Sequence, residues 1–266
     1  MLIIGERINS TRKNIREAIK ARNNEFIAGE AKKQLDAGAS YIDVNCAVTS
    51  GDELQDIEWV IGVLQEAIGK FNICIDSPNH LAIERALKVY TAGGDIIINS
   101  ITADEQRIRQ ILPRAITAGA KVVALTMDEK GMPDTADGRF AIAADIAKKA
   151  RSAGLDTSAL LFDPLIRPVA TEPLQGRAFL DAIPLIKSIE GAGTVCGLSN
   201  ISYGLPKRGL VNSIFLSMAL KSGLDAAILD PTDANVASAL FASGALLGSD
   251  EYCAEFIGAF REGKLV

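Results

Sequence analysis

The feature that most constrains the fold of this chain is a regular alternation of short apolar runs with segments of helical periodicity. Eight apolar runs are separated by a few tens of residues, and they begin near Leu2, Ala39, Asn72, Asp95, Lys121, Leu160, Thr194 and Ala226. Each interval accommodates a strand, a loop and one helix. Several runs are apolar at consecutive positions, which is typical of parallel strands covered on both faces. Eight β-then-α units predict a (β/α)8 TIM barrel that forms a single domain over residues 1–266.

A doubly wound parallel sheet is the alternative architecture for the same alternation. Its dinucleotide-binding version carries a GxGxxG sequence after the first strand, and no such sequence follows the first apolar run here. The number of units and the length of the chain therefore favour the barrel.

Single residues mark the ends and interruptions of the predicted helices. Gly38 follows a helical segment at the position where a C-terminal cap is expected. Pro113 lies inside another helical segment and predicts a kink or a break there. Ser77 and Asp230 each precede a proline, and we expect them to cap the helices that follow.

Charge and composition exclude several classes of protein. The formal net charge of −5 argues against general binding to nucleic acid or to anionic membranes. The first residues lack the charged start and apolar core of a signal peptide, and no apolar run is long enough to span a bilayer. Cys46, Cys74, Cys196 and Cys253 are far apart and form no CxxC pair, so we expect reduced thiols and no zinc cluster. These features indicate a cytoplasmic protein.

The carboxyl ends of the predicted strands are unusually polar. In a (β/α)8 barrel these ends meet on one rim, and the active site lies there. We therefore expect one site that draws on Glu6, Arg7, Asn9, Asp43, Asn45, Asp76, Asn99, Asp163, Ser199, Asn200 and Asp230. Buried carboxylates need hydrogen-bond donors, and Arg7 and Arg208 are the cations predicted to supply them.

A rim rich in carboxylates and carboxamides suits a neutral heterocycle with many N–H donors. A carboxylate such as Asp163 can accept two parallel hydrogen bonds from an amino-pyrimidinone edge, while Asn99 donates and accepts beside it. A pterin ring presents such an edge. The competing interpretation is a magnesium site with oxygen ligands only, because the chain contains a single histidine; its ligands would be Asp43, Asp76, Asp163 and Asp230.

Two other kinds of site have weaker support. A phosphate site would need glycine-rich turns after the seventh and eighth strands, and only the first of these has glycines, Gly204 and Gly209. His80 falls in the first turn of a predicted helix, where it is either a catalytic base or an ordinary surface side chain. Ser–His or Cys–His nucleophilic chemistry is therefore poorly supported.

Six short motifs, in order along the chain, resemble those of the folate domain of cobalamin-dependent methionine synthase and its relatives. They are Gly5-Glu6-Arg7-Ile8-Asn9, Asp43-Val44-Asn45, Cys74-Ile75-Asp76-Ser77, Ile98-Asn99-Ser100, Asp163-Pro164-Leu165 and Gly197-Leu198-Ser199-Asn200. Within these relatives, the chain most resembles methyltetrahydrofolate:corrinoid/iron–sulfur protein methyltransferases and the tetrahydrofolate methyltransferase component of corrinoid O-demethylase systems. The resemblance covers essentially the whole chain.

This resemblance implies a (β/α)8 barrel, usually a homodimer, that binds tetrahydrofolate or 5-methyltetrahydrofolate at its rim. Asp76, Asn99 and Asp163 would hold the pterin, and Ser199 would line the pocket. Arg208 matches an arginine that contacts the benzoyl-glutamate tail of the folate.

The same resemblance assigns the chemistry to a few residues. Asn200 would hydrogen-bond near N5, the atom that carries the methyl group, and is the predicted catalytic residue. A carboxamide does not titrate usefully, so the proton would move through water or a nearby acid, for which Asp43 and Glu6 are the candidates.

The implied reaction exchanges a methyl group between N5 of tetrahydrofolate and the cobalt of a corrinoid, in either direction. The chain has no DxHxxG corrinoid-binding motif, so the corrinoid would arrive on a partner protein. Dihydropteroate synthase is a rival with the same pterin pocket, but its seventh strand ends in Ser-Arg-Lys, whereas here Asn200 occupies that region and no lysine appears until Lys207. A non-catalytic pterin-binding subunit is the other alternative.

Overall fold

The architecture is a closed barrel of parallel strands, seen in a computed structural model that describes residues 1–49 and 51–266. Each strand pairs with the next one in the chain, and the eighth pairs with the first. The strands are β1 (Leu2–Asn9), β2 (Tyr41–Asn45), β3 (Ile73–Asp76), β4 (Ile96–Ile101), β5 (Lys121–Leu125), β6 (Leu160–Asp163), β7 (Gly193–Gly197) and β8 (Ala226–Leu229). The predicted (β/α)8 barrel is confirmed. The doubly wound alternative is wrong, because an open sheet would leave two unpaired edge strands.

Helices cover the outside of the barrel. They are α1 (Lys13–Lys20), α2 (Asn24–Asp36), α3 (Glu53–Ile68), α4 (His80–Val89), α5 (Glu105–Ala118), α6 (Ala136–Ser152), α7 (Gln175–Lys187), α8 (Arg208–Ser222), α9 (Ala234–Leu246) and α10 (Ala254–Arg261). Short 3₁₀ turns lie at Thr157–Ala159, Leu198–Asn200 and Glu251–Cys253. Within the described residues, no helix is both long enough and apolar enough to cross a bilayer.

The inside of the barrel is filled by two layers of side chains. The lower layer is apolar and consists of Ile4, Tyr41, Cys74, Ile97, Val123, Leu161, Val195 and Ala226, one from each strand. Because successive side chains of a strand point to opposite faces, the next inward position on each strand lies two residues further along the chain. These positions hold Glu6, Asp43, Asp76, Asn99, Leu125, Asp163, Gly197 and Ile228. The barrel interior therefore changes from apolar to largely polar within one pleat.

The outward faces of the strands pack against the helices in two apolar clusters. The larger cluster joins β1 to β6 with the helices from α1 to α7, and it includes Ile42, Ile73 and Phe162. The smaller cluster joins β7 and β8 with α7, α8 and α9 through residues such as Phe215 and Leu216. The strands are thus covered on both faces, as their consecutive apolar residues predicted.

Both predicted helix caps at the proline positions are wrong. The side chain of Asn79, not that of Ser77, caps α4, and Asp233, not Asp230, caps α9. Each true cap lies one or two residues beyond the proline, where the chain has already turned into the helix. The side chains of Ser77 and Asp230 bind groups on other elements instead.

Two further predictions concern the C-terminal cap of α2 at Gly38 and the effect of Pro113 on α5. Gly38 follows the end of α2 with a φ of 94°, a left-handed conformation that favours glycine, so the predicted cap is confirmed. Of the kink or break predicted at Pro113, the break is wrong, because α5 runs through the proline from Glu105 to Ala118. The buried residues Leu112 and Ala115 hold the helix against the barrel on both sides of the proline.

Gly94, just before β4, is the glycine with the least room for a side chain. A Cβ at residue 94 would lie 1.9 Å from the carbonyl oxygen of Phe71. The hydroxyl of Tyr90 donates to the same carbonyl, and its ring packs edge-on against the Phe71 ring at 5.5 Å between centroids. The chain before β4 is therefore held against the chain before β3 without space for a methyl group.

We expect Gly94→Ala to lower the free energy of unfolding by about 1–3 kcal/mol, because the methyl group forces the two segments apart. The matched control is Gly29→Ala in α2, where nothing lies within 4 Å of the added Cβ. That change should raise the free energy of unfolding by up to about 1 kcal/mol. Urea unfolding followed by circular dichroism measures both, and equal effects of the two changes would contradict the close packing at Gly94.

Candidate functional site

A cavity of about 410 Å³ opens at the carboxyl ends of the strands. Its floor is the polar inward layer, and its walls come from the segments that follow β1, β6 and β7. The lining residues are Glu6, Asn9, Thr11, Arg12, Asp43, Asp76, Asn99, Leu125, Asp163, Leu165, Gly197, Ser199, Asn200 and Ile228. A cavity of this size accommodates a small organic ligand.

Eight residues receive a role from the resemblance, and the structure brings seven of them to this cavity. They are Glu6, Asp43, Asp76, Asn99, Asp163, Ser199 and Asn200. Arg208 is the exception and lies in an adjoining cavity of about 200 Å³. Its guanidinium donates to the carbonyl of Ser199 at 2.6 Å and to the hydroxyl of Ser202 at 3.0 Å. The expectation that Arg208 supplies donors to the buried carboxylates is wrong, because these two contacts hold it at the start of α8.

Asp43 is the most deeply buried carboxyl group of the floor, with 1% of its surface exposed. Burial raises the pKa of Asp43 well above its usual value, and the neighbouring Asp76 carboxyl raises it further. Its Oδ1 atom has no hydrogen-bond partner among the described residues. A buried polar atom without a partner is costly, so this oxygen is ready to accept a bond from a ligand.

Asp76 lies beside Asp43 at the end of β3 and is only half-buried. Asn45 donates to its Oδ2 atom at 2.9 Å. Burial raises the pKa of Asp76, while the bond from Asn45 lowers it. The two neighbouring carboxyl groups of the floor thus resist ionising together.

Asp163 ends β6 and faces the cavity with 7% of its surface exposed. Its Oδ1 atom accepts a hydrogen bond from the amide of Leu165 at 2.7 Å. Burial raises the pKa of Asp163 to about 7, against the lowering effect of the bonds from the Leu165 and Gly197 amides. Leu165 has a φ of 63°, a conformation that costs a leucine about 1–2 kcal/mol. The bonds from the Leu165 and Gly197 amides therefore fix the orientation of this carboxyl group.

A hydrogen bond between Glu6 and Ser199 connects β1 with the turn that follows β7. The hydroxyl of Ser199 donates to Glu6 Oε1 at 2.8 Å, and Arg12 donates to the same oxygen at 3.0 Å. Burial raises the pKa of Glu6, while these two bonds lower it. Among the described residues that line the cavity, Arg12 is the only cation. Sequence reasoning missed Arg12; its position at the start of α1, a few residues after a strand end, was the available signal.

Asn200 stands at the mouth of the cavity. It belongs to the 3₁₀ turn Leu198–Asn200 that ends β7, and it is exposed. A Cβ at Gly197 would lie 3.2 Å from the Asn200 side-chain nitrogen, so the glycine leaves room for the carboxamide. Asn99 is half-buried on the floor at the end of β4, where it is the register partner of Asp76.

Arg7 is the predicted cation that does bind carboxylates. Its guanidinium donates to Glu30 at 2.6 Å and to Asp230 at 2.8 Å, behind the wall of the cavity. Arg12 also approaches Asp230, at 3.7 Å. These ion pairs tie α2 and the segment after β8 to the end of β1.

The competing metal and histidine sites do not form around this cavity. Asp230 does not line it, because Arg7 and Arg12 hold its carboxylate outside. Within residues 1–49 and 51–266, no group of three or more histidine, cysteine, aspartate or glutamate side chains has an arrangement that could hold a metal ion. His80 begins α4 and does not line the cavity.

Known proteins resemble this chain over most of its length. Residues 5–230 match the family described as pterin binding enzyme. The methylcorrinoid:tetrahydrofolate methyltransferase of Eubacterium limosum is 33% identical over 269 residues, which cover 100% of this chain and 98% of that protein. The methionine synthase of Mycobacterium leprae is 32% identical over 243 residues, which cover 86% of this chain but only 20% of the synthase.

Solved structures share the fold at low sequence identity. Dihydropteroate synthase from Xanthomonas albilineans in complex with 7,8-dihydropteroate superposes with a TM-score of 0.71 at 17% identity, over 92% of this chain and 93% of that chain. Yersinia pestis dihydropteroate synthase gives a TM-score of 0.67 at 16% identity, over 93% of each chain. Such similarity shows a common barrel and nothing more specific.

The raised pKa of Asp163 predicts a pH dependence of stability. The pKa of Asp163 rises from 3.8, the ordinary value of an aspartate, to about 7 in the folded protein. Between these values the folded protein binds more protons than the unfolded chain, so the free energy of unfolding falls as the pH rises from about 4 to about 7. Asp163→Asn removes this titration. The loss of stability between about pH 5 and about pH 8 should shrink by roughly 2 kcal/mol in the variant.

The measurement is urea unfolding of wild type and variant at both pH values. The matched control is Asp36→Asn, a change of an exposed carboxylate at the end of α2, which should leave the pH dependence as it is in the wild type. A pH dependence that is identical in Asp163→Asn and in the wild type would contradict the raised pKa of Asp163.

Proposed function

Because the chain belongs to the pterin-binding enzyme family, we propose that it is a methyltransferase that moves a methyl group between the cobalt of a corrinoid and N5 of tetrahydrofolate. The relative from Eubacterium limosum supports this proposal, because the similarity spans both chains from end to end. Its name gives a methylcorrinoid as donor and tetrahydrofolate as acceptor, and we propose the same direction here. The corrinoid is carried by a partner protein that meets the enzyme in the cytoplasm.

The observation that carries the proposal is a cavity floor rich in hydrogen-bond acceptors and poor in cations. Asp163 and the Oδ1 of Asp43, which has no partner among the described residues, offer acceptors to a ligand. Arg12, the single cation among the described residues that line the cavity, is already bound to Glu6. A pterin ring presents N–H and amino donors along one edge and carries no phosphate or carboxylate of its own. Asp76, Asn99 and Asp163 would hold that edge, with Ser199 at the side.

The chemistry at N5 is a displacement followed by loss of a proton. N5 forms a bond to the methyl carbon with its lone pair, and the electron pair of the methyl–cobalt bond stays on the metal. N5 then carries a positive charge until its proton leaves. The carbonyl oxygen of Asn200 can accept a hydrogen bond from N5 and stabilise this charge, which is the role that we propose for it.

The proton released from N5 needs an acceptor near the cavity. Glu6 and Asp43 have raised pKa values because both are buried, so they take up protons more readily than ordinary carboxylates. Glu6 also accepts a bond from Ser199, the neighbour of Asn200, and is therefore connected to the mouth of the cavity. We propose these two groups, with water, as the route of the proton.

Arg208 has a different role in this proposal. It is exposed beside the main cavity, so it does not reach the pterin floor. It is available for the carboxylates of the benzoyl-glutamate tail, which extends from the pterin towards solvent.

We further propose that the protein is a homodimer that associates through α8. Leu210, Ile214 and Met218 are spaced four residues apart on this helix and expose 55%, 56% and 49% of their surfaces. The neighbouring helix α9 has no charged residue between Ala234 and Leu246. Exposed apolar side chains beside a helix without charged residues are typical of interfaces between identical subunits.

Ile214→Glu should convert a dimer into a monomer, because the change places a charge in the centre of the proposed interface. Light scattering coupled to gel filtration measures the mass, and circular dichroism checks the fold. The control is Ile116→Glu on α5, a similarly exposed isoleucine on another face of the barrel. A wild-type monomer, or a dimer that persists in Ile214→Glu, would contradict the interface.

Asn200→Ala tests the catalytic assignment. The variant should transfer the methyl group from methylcobalamin to tetrahydrofolate about a hundredfold more slowly, because one preorganised bond to the charged nitrogen is lost. Its affinity for tetrahydrofolate should change by less than about tenfold, since the floor of the site remains. Absorbance of the cobalamin follows the transfer, and titration calorimetry measures the binding.

The control is Asn24→Ala in the first turn of α2, an exposed asparagine outside the cavity. Undiminished transfer by Asn200→Ala would contradict the role of Asn200. A wild type that binds tetrahydrofolate but transfers no methyl group would identify a non-catalytic pterin-binding subunit. A wild type that binds no tetrahydrofolate would overturn the whole proposal.

A further inference from the structure

We infer that Arg107 is a positioning residue for the pterin end of the site, an inference that rests on the function proposed above. Arg107 lies in the first turn of α5 and does not line the cavity. Its guanidinium donates to three main-chain carbonyls: those of Ser77 at 2.8 Å, Pro78 at 2.7 Å and Ser100 at 2.8 Å. One side chain therefore joins the segment that follows β3 to the last residues of β4.

These segments carry two of the residues proposed to hold the pterin. Ser77 directly follows Asp76, and Ser100 directly follows Asn99. Asp76 and Asn99 are register partners in the sheet, and the amide of Ser77 donates to the carbonyl of Asn99 at 3.0 Å. Asp76 and Asn99 form the last residue pair between β3 and β4, and two of the residues bound by Arg107, Ser77 and Ser100, follow them directly. The hydrogen bonds from Arg107 therefore fix the position of the Asp76 side chain relative to that of Asn99.

The helix that carries Arg107 and the segment that contains Ser77 are each held by a further hydrogen bond. The carboxylate of Asp104 caps α5 and accepts from the amide of Arg107 at 2.7 Å, which sets the start of the helix. On the other side, the hydroxyl of Ser77 donates to Glu53 at 2.6 Å. The guanidinium thus bridges two anchored segments.

The hydrogen-bond partners of the Arg107 guanidinium are unusual for a cation. Within the described residues its side chain forms no ion pair with a carboxylate, and its three hydrogen bonds go to carbonyl oxygens. Burial lowers its pKa, and the nearby Asp76 raises it. A planar guanidinium with five N–H groups can reach three carbonyls in fixed directions, whereas a lysine ammonium is a single point. The geometry therefore points to a requirement for the planar guanidinium group at position 107. A positive charge without that shape would not be sufficient.

The test compares Arg107→Met and Arg107→Lys with the wild type. In both variants the Kd and KM for tetrahydrofolate should rise between about tenfold and a hundredfold, because Asp76 and Asn99 lose their fixed spacing. The kcat at saturating tetrahydrofolate should stay within about threefold of the wild type, since binding of the ring is weakened before and during the reaction alike. Calorimetry gives the Kd, and methyl transfer from methylcobalamin gives KM and kcat.

The matched control is Arg109→Met on the same helix, where the side chain is 74% exposed and pairs with Glu105 on the helix surface. It should bind tetrahydrofolate as the wild type does. Circular dichroism and urea unfolding show which variants are folded; if Arg107→Met does not fold, Arg107→Lys decides alone, because it keeps the charge.

Two results would overturn this inference. A folded Arg107→Met with the Kd of the wild type would show that Arg107 supports only stability. Full recovery of binding in Arg107→Lys would show that a point charge is sufficient. Absence of tetrahydrofolate binding by the wild type would instead count against the proposed function, so the two failures are distinguishable.

Discussion

The chemistry of this site depends on the burial of carboxyl groups directly above an apolar layer. Five of the eight strands place an apolar side chain such as Leu161 inside the barrel and a polar one such as Asp163 two residues later. The apolar layer excludes water from below, so ionisation becomes costly and the pKa of Asp163 rises to about 7. The carboxyl groups of the floor therefore stay protonated to higher pH than ordinary carboxyl groups do. Such a floor suits a neutral ring with several hydrogen-bond donors better than an anion or a metal ion.

The arginines around the site keep this character intact because Arg7, Arg12 and Arg107 are bound to groups other than Asp43 and Asp163. Arg7 pairs with Glu30 and Asp230, and Arg107 binds carbonyls behind β3 and β4. Arg12, which does reach the cavity, is held at Glu6. If any of these cations moved onto the floor, it would ionise Asp43 or Asp163 and occupy the acceptors that a pterin needs. Arg7 and Arg107 thus shape the site from outside, and Arg12 does so from its edge.

The strands and the polar floor could be predicted from the sequence, because both follow from a period of two along single strands. The arginine contacts could not, since Arg107 meets Ser77 across 30 residues of chain and no local pattern records that approach. The caps failed for another reason. Ser77 and Asp230 are good capping residues, but Asn79 and Asp233 compete for the same helices and stand closer to the first turn. The preference of a residue type for the N-cap position does not decide between two suitable residues that are close in the sequence.

The site combines a rigid floor with an open mouth, and the proposed reaction needs both. Asp43 and Asp163 are held by strands and are almost fully buried, whereas Asn200 lies on a short exposed turn and Tyr203 beside it is 67% exposed. A second substrate carried on another protein can reach N5 only if the wall at this position stays low. A closed lid would protect the reaction from water but would exclude the carrier. The residues of the floor must therefore recognise the ring. Asn200 is the polar side chain that lies where the ring and the carrier protein would meet.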